Sequence, residues 1–254
     1  MRILPERRYQ AAVAAQEAGD VVTAYESFLS MGEYKDSLER TEALYKQYKP
    51  AKLKAAKVGD TVYFGSYEQD NDTKNGKEDV AWIVLAKEQK RILVISKYGL
   101  DAASFHNKQE AVTWNNCSLR KWLNSKFIET AFTPAEQKQL VPAIVKAQKN
   151  PKYEIDPGKD TKDRVFLLSI DEAKQYFQTD PQRKCTPTYY AYKRGVAVTN
   201  ENNTMLCWWW LRNPGGEPDY AAFVNLQGVI HEYGSNVYNY KTSAVRPAMW
   251  IETK

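Results

Sequence analysis

Histidine and cysteine are scarce in this chain, with two of one and three of the other among 254 residues. The supply of acid–base groups is correspondingly thin. Neither a Gly-x-Ser-x-Gly elbow nor a His-Glu-x-x-His helix occurs, which excludes the hydrolase and zinc-peptidase classes that those motifs mark. Cys117, Cys185 and Cys207 are odd in number and widely spaced, which argues against a disulfide framework and against a zinc site. Each reads as a small buried hydrophobe, with one disulfide from two of the three left open. There is no uninterrupted run of about 18 apolar residues, so no membrane span is expected. Residues 1–10 carry three arginines with no apolar stretch behind them, so no signal peptide is expected within this sequence. The net charge of +5 is mild and the lysines are dispersed, so no nucleic-acid arm is present.

What is abundant is aromatic surface. The hydrophobic fraction is 43% and the aromatic fraction 13%, enough for a sizeable core in one large domain with a small appendage. Trp208, Trp209 and Trp210 are adjacent. Each indole offers on the order of 150–250 Å² for burial. Rings alternating across a strand must bury on both of its faces, so this segment is expected inside a core.

Residues 1–50 read as helical, with turns at Gly19-Asp20 and Gly32-Glu33. Gly19, Ala24 and Phe28 resemble the spacing of a tetratricopeptide helix-turn-helix, where a small Ala allows close approach and a Phe plugs the gap. A solenoid needs about three such units and only one is present, so a packing appendage or stalk is expected. Residues 51–57 read as a linker with helical tendency. From Val58 the pattern turns to strands at 61–67, 80–85 and 91–96, the last two forming a hairpin. Leu119, Trp122, Leu123 and Phe127 mark a helix. Thr133-Pro134-Ala135-Glu136 and Ser169-Ile170-Asp171-Glu172 are capping boxes that open two more. Residues 150–162 read as a polar loop. Short late strands are expected at 206–211, 221–226, 229–232 and 244–251. This order indicates an α+β fold, not a βαβ alternation.

Three blocks carry a resemblance. The first is Gly59-Asp60 with 64–70 and Trp82-Ile83-Val84-Leu85. The second is Thr113-Trp114-Asn115 with 118–124 and Ala131-Phe132. The third is Trp209-Trp210-Leu211-Arg212, Pro214-Gly215 and the closing Val245-Arg246-Pro247-Ala248. Together they resemble a bacterial domain family of unknown function over residues 58–254. The closing part also resembles the C-type-lectin-like fold, and more narrowly its formylglycine-generating-enzyme branch. The resemblance implies two helices, a small twisted antiparallel sheet and long binding loops, with an extracytoplasmic or cell-surface location.

Candidate sites follow from these readings. Asp219, Tyr220, Tyr233, Asn236, Tyr238, Asn239 and Tyr240 precede the last strand, where the resemblance places ligand. Tyr supplies rigid contact and Asn adaptable hydrogen bonds. Trp114 is expected to extend that face or to fill the core. Arg212 and Arg246 are read as structural. His106 with Cys117 lacks an orienting group for nucleophilic catalysis. Cys185 and Cys207 would have to supply the cysteine pair of a formylglycine-generating oxidase, and Cys207 is read as packed. Asp70, Asp72, Asn75, Glu78 and Asp79 miss the calcium-loop pattern and read as a hairpin connector. Glu217-Pro218-Asp219 reads as a turn. No metal and no cofactor are expected. The expected function is a non-catalytic module binding glycan, peptide or protein through its late loops. The alternative is an enzyme of unrecognised type on the same fold.

Overall fold

The computed structural model describes residues 5–238 and 243–253. The chain divides into two compact units, Met1–Lys57 and Val58–Lys254.

The first unit is three helices, α1 (Pro5–Glu17), α2 (Val21–Met31) and α3 (Ser37–Ala55). Asp20 caps α2 by accepting the Thr23 amide at 3.1 Å, satisfying one of the orphan donors of the first turn. Gly32 ends it at φ +56°, a left-handed conformation that a side chain would strain. Ala24 and Phe28 are fully buried, and Tyr25 stacks on Tyr48 at 3.8 Å between ring centroids. Asp36 starts α3 without a side-chain cap. Its carboxylate instead accepts the Tyr9 hydroxyl at 2.5 Å and Arg40 Nε at 2.9 Å. The third helix continues through Pro50, so residues 51–55 are helical.

The second unit is α+β. In chain order it opens with β1 (Thr61–Tyr67), β2 (Glu78–Lys87), β3 (Arg91–Ser96) and β4 (Asp101–Ala102). A helical stretch follows: α4 (Ser118–Trp122), a π-turn (Leu123–Phe127) and α5 (Ile128–Ala131). Next come α6 (Pro134–Gln137), β5 (Leu140–Val141), β6 (Ala143–Val145), β7 (Thr161–Asp163) and β8 (Val165–Phe166). Then α7 (Ile170–Tyr176), α8 (Asp180–Arg183) and α9 (Tyr189–Lys193) lead to the late strands. These are β9 (Val198–Glu201), β10 (Thr204–Cys207), β11 (Trp209–Pro214), β12 (Tyr220–Val224), β13 (Ile230–Asn236), β14 (Ala244–Val245) and β15 (Ala248–Glu252).

Two larger sheets organise the unit, ordered β1-β2-β3-β15-β5, with β8 also on β15, and β13-β12-β11-β14-β4. Pairing is antiparallel except between β11 and β14. β14 and β15 follow each other and lie in different sheets, so residues 244–252 stitch the two together.

Trp209 and Trp210 are fully buried, as a strand covered on both faces requires. Trp208 lies between β10 and β11, half-buried, and stacks on Phe223 at 4.7 Å. Both capping boxes form: Thr133 and Ser169 accept the amides of Glu136 and Glu172, and each Glu reaches back. The helix marked by Leu119 and Phe127 contains the π-turn, which presents Asn124 to β8. The Asn124 amide donates to Val165 O at 2.7 Å, while its oxygen accepts the amides of Arg164 and Val165. Residues 161 and 162, expected within a polar loop, pair with β6 together with Asp163.

Candidate functional site

An open cleft of about 410 Å³ lies where β4, α4 and the end of α9 meet. Concave apolar surface with a few convergent polar groups is the usual form of a ligand site. Three positions define this one. Leu119 and Trp122 come from α4, Asp101 from β4, and Arg194 from the residue just after α9. Tyr238 closes one side.

The polar end is built around a buried carboxylate. Asp101 is 3% exposed and fully engaged. Its Oδ2 accepts the Tyr67 hydroxyl at 2.6 Å. Its Oδ1 accepts Arg194 Nε at 2.6 Å and the Ala102 amide at 2.7 Å. Burial first, and the charge of Asp101 second, push the Tyr67 phenol far above its ordinary range. Tyr67 is therefore a fixed neutral donor. The Arg194 guanidinium, half-exposed, is oriented by Asp101 and lies 5.4 Å from the Tyr190 ring centroid. A fixed guanidinium beside an indole and a phenol can receive a planar or anionic group on one side and an apolar face on the other.

Groups near the cleft that could do acid–base or nucleophilic work are otherwise occupied. His106 Nδ1 accepts the Ser118 amide at 3.1 Å, which puts the ring proton on Nε2, facing Glu110 Oε1 at 3.0 Å. Both ring nitrogens are spent on holding the loop to the start of α4. Burial pushes the Cys117 thiol up to about 12, and its sulfur accepts the Arg120 amide as a helix cap. The sequence neighbours His106 and Cys117 are structural.

The residues expected to bind ligand separate into groups. Tyr238 alone lines the cleft. Tyr220 and Tyr233 meet edge to face at 5.5 Å, Tyr233 also meets Tyr153 at 5.4 Å, and the Tyr233 hydroxyl donates to Glu217. Asn236 donates to Asp219 at 2.8 Å. These four residues form a separate patch around the β12–β13 pair. Asn239 and Tyr240 lie outside the described residues. Trp114 corrects the expectation of an open aromatic face. It is 4% exposed, and its indole N–H donates to Asp163, which also pairs with Arg120. A large ring with a satisfied N–H at that depth fills core.

Arg212 forks onto Glu172, with Nη2 to Oε1 at 2.8 Å, and donates to Leu167 O at 2.8 Å. Arg246 donates Nε to Ser96 O at 3.0 Å. Neither lines the cleft. A second depression, of about 550 Å³, lies beside Thr113, Asn115 and Lys159. There the Asn115 oxygen already accepts the Thr113 hydroxyl and the Lys159 amide. In the β1–β2 connector, carboxylate oxygens of Glu68, Asp70 and Glu78 lie within 4.8 Å of one another. Asp70 and Glu78 accept the amides of Asp72 and Gln69, so the loop's own backbone uses them.

Sequence reasoning missed Asp101, Trp122 and Arg194. Asp101 and Arg194 are 93 positions apart, a pairing that no local periodicity announces. The available signal was an Asp at the end of an apolar stretch, since a carboxylate buried there needs a cationic partner.

Among the described residues no helix is long and apolar enough to cross a membrane. Comparison with curated proteins and with solved structures found no match. The model of one family, described as "Domain of unknown function (DUF6273)", matches residues 89–253, more than half of the sequence and all of the cleft-forming elements from β4 to β14. The chain therefore belongs to the DUF6273 family.

Proposed function

We propose that the second unit is a non-catalytic ligand-binding module with a C-type-lectin-like arrangement, taking its ligand in the cleft bounded by Asp101, Trp122, Arg194 and Tyr238. One observation carries this reading. The cleft offers a guanidinium held in place by a buried carboxylate and is lined also by an indole and a phenol, while His106 and Cys117 beside it are consumed by structural bonds. Such a surface suits a glycan or a short peptide, with a ring face on Trp122 or Tyr238 and a polar group on Arg194. The tetratricopeptide-like reading of the helical unit makes it the carrier of a module displayed outside the cytoplasm; the resemblance alone supports that placement.

Glycan and peptide arrays probed with the whole chain test the proposal. Tyr238→Ala is expected to abolish every hit while leaving the thermal midpoint within a few degrees, since Tyr238 is 41% exposed. Retention of all hits by this variant would sink the cleft as the binding site. The enzyme reading, of unrecognised type on the same fold, would draw on a buried carboxylate pair or an adjacent cysteine pair; Cys185 and Cys207 face each other, 2% and 0% exposed, away from the cleft lining.

A further inference from the structure

Cys185 and Cys207 stand opposite each other as an isolated antiparallel bridge. The Cys207 amide donates to Cys185 O at 2.8 Å. Hydrogen-bonded antiparallel partners have Cα atoms about 5.5 Å apart. That is within the usual span of a disulfide, whose commonest value is about 5.5–6 Å. The Cys207 thiol donates to Cys185 O at 3.4 Å, and the Cys185 thiol donates to Thr186 O at 3.6 Å. The third cysteine, Cys117, is committed elsewhere as the cap of α4.

Arg246 supplies an independent observation. It is 1% exposed, with its guanidinium carbon 4.9 Å from the Trp209 ring and 5.1 Å from the Phe177 ring. Among the described residues only Nε has a carbonyl partner, and Nη1 is buried with no hydrogen-bond partner. Among the described residues no carboxylate pairs with it. A buried cation without a counterion is costly, so an anion nearby would be stabilised. The field of Arg246 acts on both thiols. Cys207 beside it, together with this field, pulls Cys185 below the ordinary thiol range, while burial pushes Cys207 up. Cys185 is thus the more acidic of the two sulfurs.

We propose that Cys185 and Cys207 form a reversible dithiol–disulfide couple, with Arg246 holding the reduced form as the counterion of Cys185. A low-molecular-weight disulfide such as oxidised glutathione is the co-reactant. The Cys185 thiolate attacks one of its sulfurs, forming a mixed disulfide and expelling one small thiolate. That thiolate takes the Cys207 proton. Cys207 then attacks Cys185 Sγ, closes the protein disulfide and expels the second small thiolate. Two protein sulfurs are oxidised and one small disulfide is reduced to two thiols. Oxidation leaves Arg246 without its anion, which favours reduction and keeps the couple reversible. Because both sulfurs are buried, exchange passes through opening of the β9–β10 hairpin, which among the described residues is joined to other strands by the cysteine bridge alone and is tied further by the Lys184–Glu201 ion pair.

The test is to equilibrate the full chain across glutathione mixtures from fully reduced to fully oxidised, in urea well below the unfolding transition. Samples are quenched in acid, alkylated under denaturing conditions and mapped by peptide mass. A Cys185–Cys207 cross-link, two hydrogens lighter than the separate peptides, is expected to rise with a midpoint inside the glutathione range. Cys117 is expected to be alkylated throughout, and dithiothreitol to restore all three thiols. Three alkylated cysteines in every mixture, or a link through Cys117, would overturn the couple. A cross-link present in every mixture would make it a fixed disulfide and overturn reversibility. Arg246→Met is expected to move the midpoint toward more reducing mixtures. An unchanged midpoint would remove Arg246 from the proposal, and should the variant not fold, the wild-type midpoint still decides between couple and fixed bridge.

Discussion

Arg212 and Arg246 are both almost fully buried, both lie on or beside late strands, and both belong to short motifs that stand out in the sequence. Their surroundings differ. Arg212 has a carboxylate on its fork and carbonyls on its other donors, and its partner Glu172 also completes the capping box of α7. Arg246 has one carbonyl, two aromatic rings and an idle nitrogen. The same side chain is thus a closed tie in one place and a source of uncompensated field in the other. A buried carboxylate–guanidinium pair is expensive to break because the surviving partner is stranded, whereas removing Arg246 strands no carboxylate among the described residues, only thiols that can stay protonated.

Four substitutions probe this contrast by denaturant unfolding, and they are expected to fall in a definite order. Trp209→Ala has the largest effect, about 3–5 kcal/mol, because it removes a fully buried indole and one face of the Arg246 sandwich together. A loss below about 1 kcal/mol would mean that the site collapses around the gap. Arg212→Met follows at about 2–3 kcal/mol, at the low end for a broken buried pair because Glu172 is partly solvated. Arg246→Met is expected to cost about 1 kcal/mol, chiefly the orphaned Ser96 carbonyl. If it equals or exceeds Arg212→Met, Arg246 is tied as tightly as Arg212 and the contrast fails. Tyr238→Ala is the smallest, within about 0.5 kcal/mol, and gives the baseline for an exposed ring.

Much of this architecture was readable from local rules. The capping boxes at Thr133 and Ser169, the β2–β3 hairpin and the burial of Trp209 and Trp210 follow from neighbours in sequence, and the structure has each of them. The purpose of the glycines after Pro214 was not legible in the sequence. A Cβ on Gly216 would lie 2.3 Å from the Tyr233 ring, so the turn exists to admit a side chain from β13. The cleft was the least legible part. Tyr238 was found because Tyr-rich loops suggest recognition. Asp101, Trp122 and Arg194 converge only through β4 pairing with β14 and α9 packing near β4, contacts that no local pattern encodes. Trp114 was misplaced because an aromatic in a polar stretch looks the same whether its N–H faces water or a buried Asp163. The π-turn was hidden for a related reason. Apolar spacing of three and four fits a regular helix, and only the demand of β8 for the Asn124 amide reveals the extra residue in the turn.

The outer strand β13 has a consequence for behaviour at high concentration. Its register slips opposite residues 221–223, and Gly234 sits there at φ +78°, so close to Ala221 O that a Cβ would lie 2.3 Å away. The slip kinks the free margin of the sheet, while Lys152 and Lys174 converge on Glu232 beside it. A neighbouring molecule arriving with a straight strand would meet a bent, charged border whose donors and acceptors fall out of step with its own. Ribbon-like stacking of one molecule on the next is thereby discouraged without any cost to the buried side of the sheet.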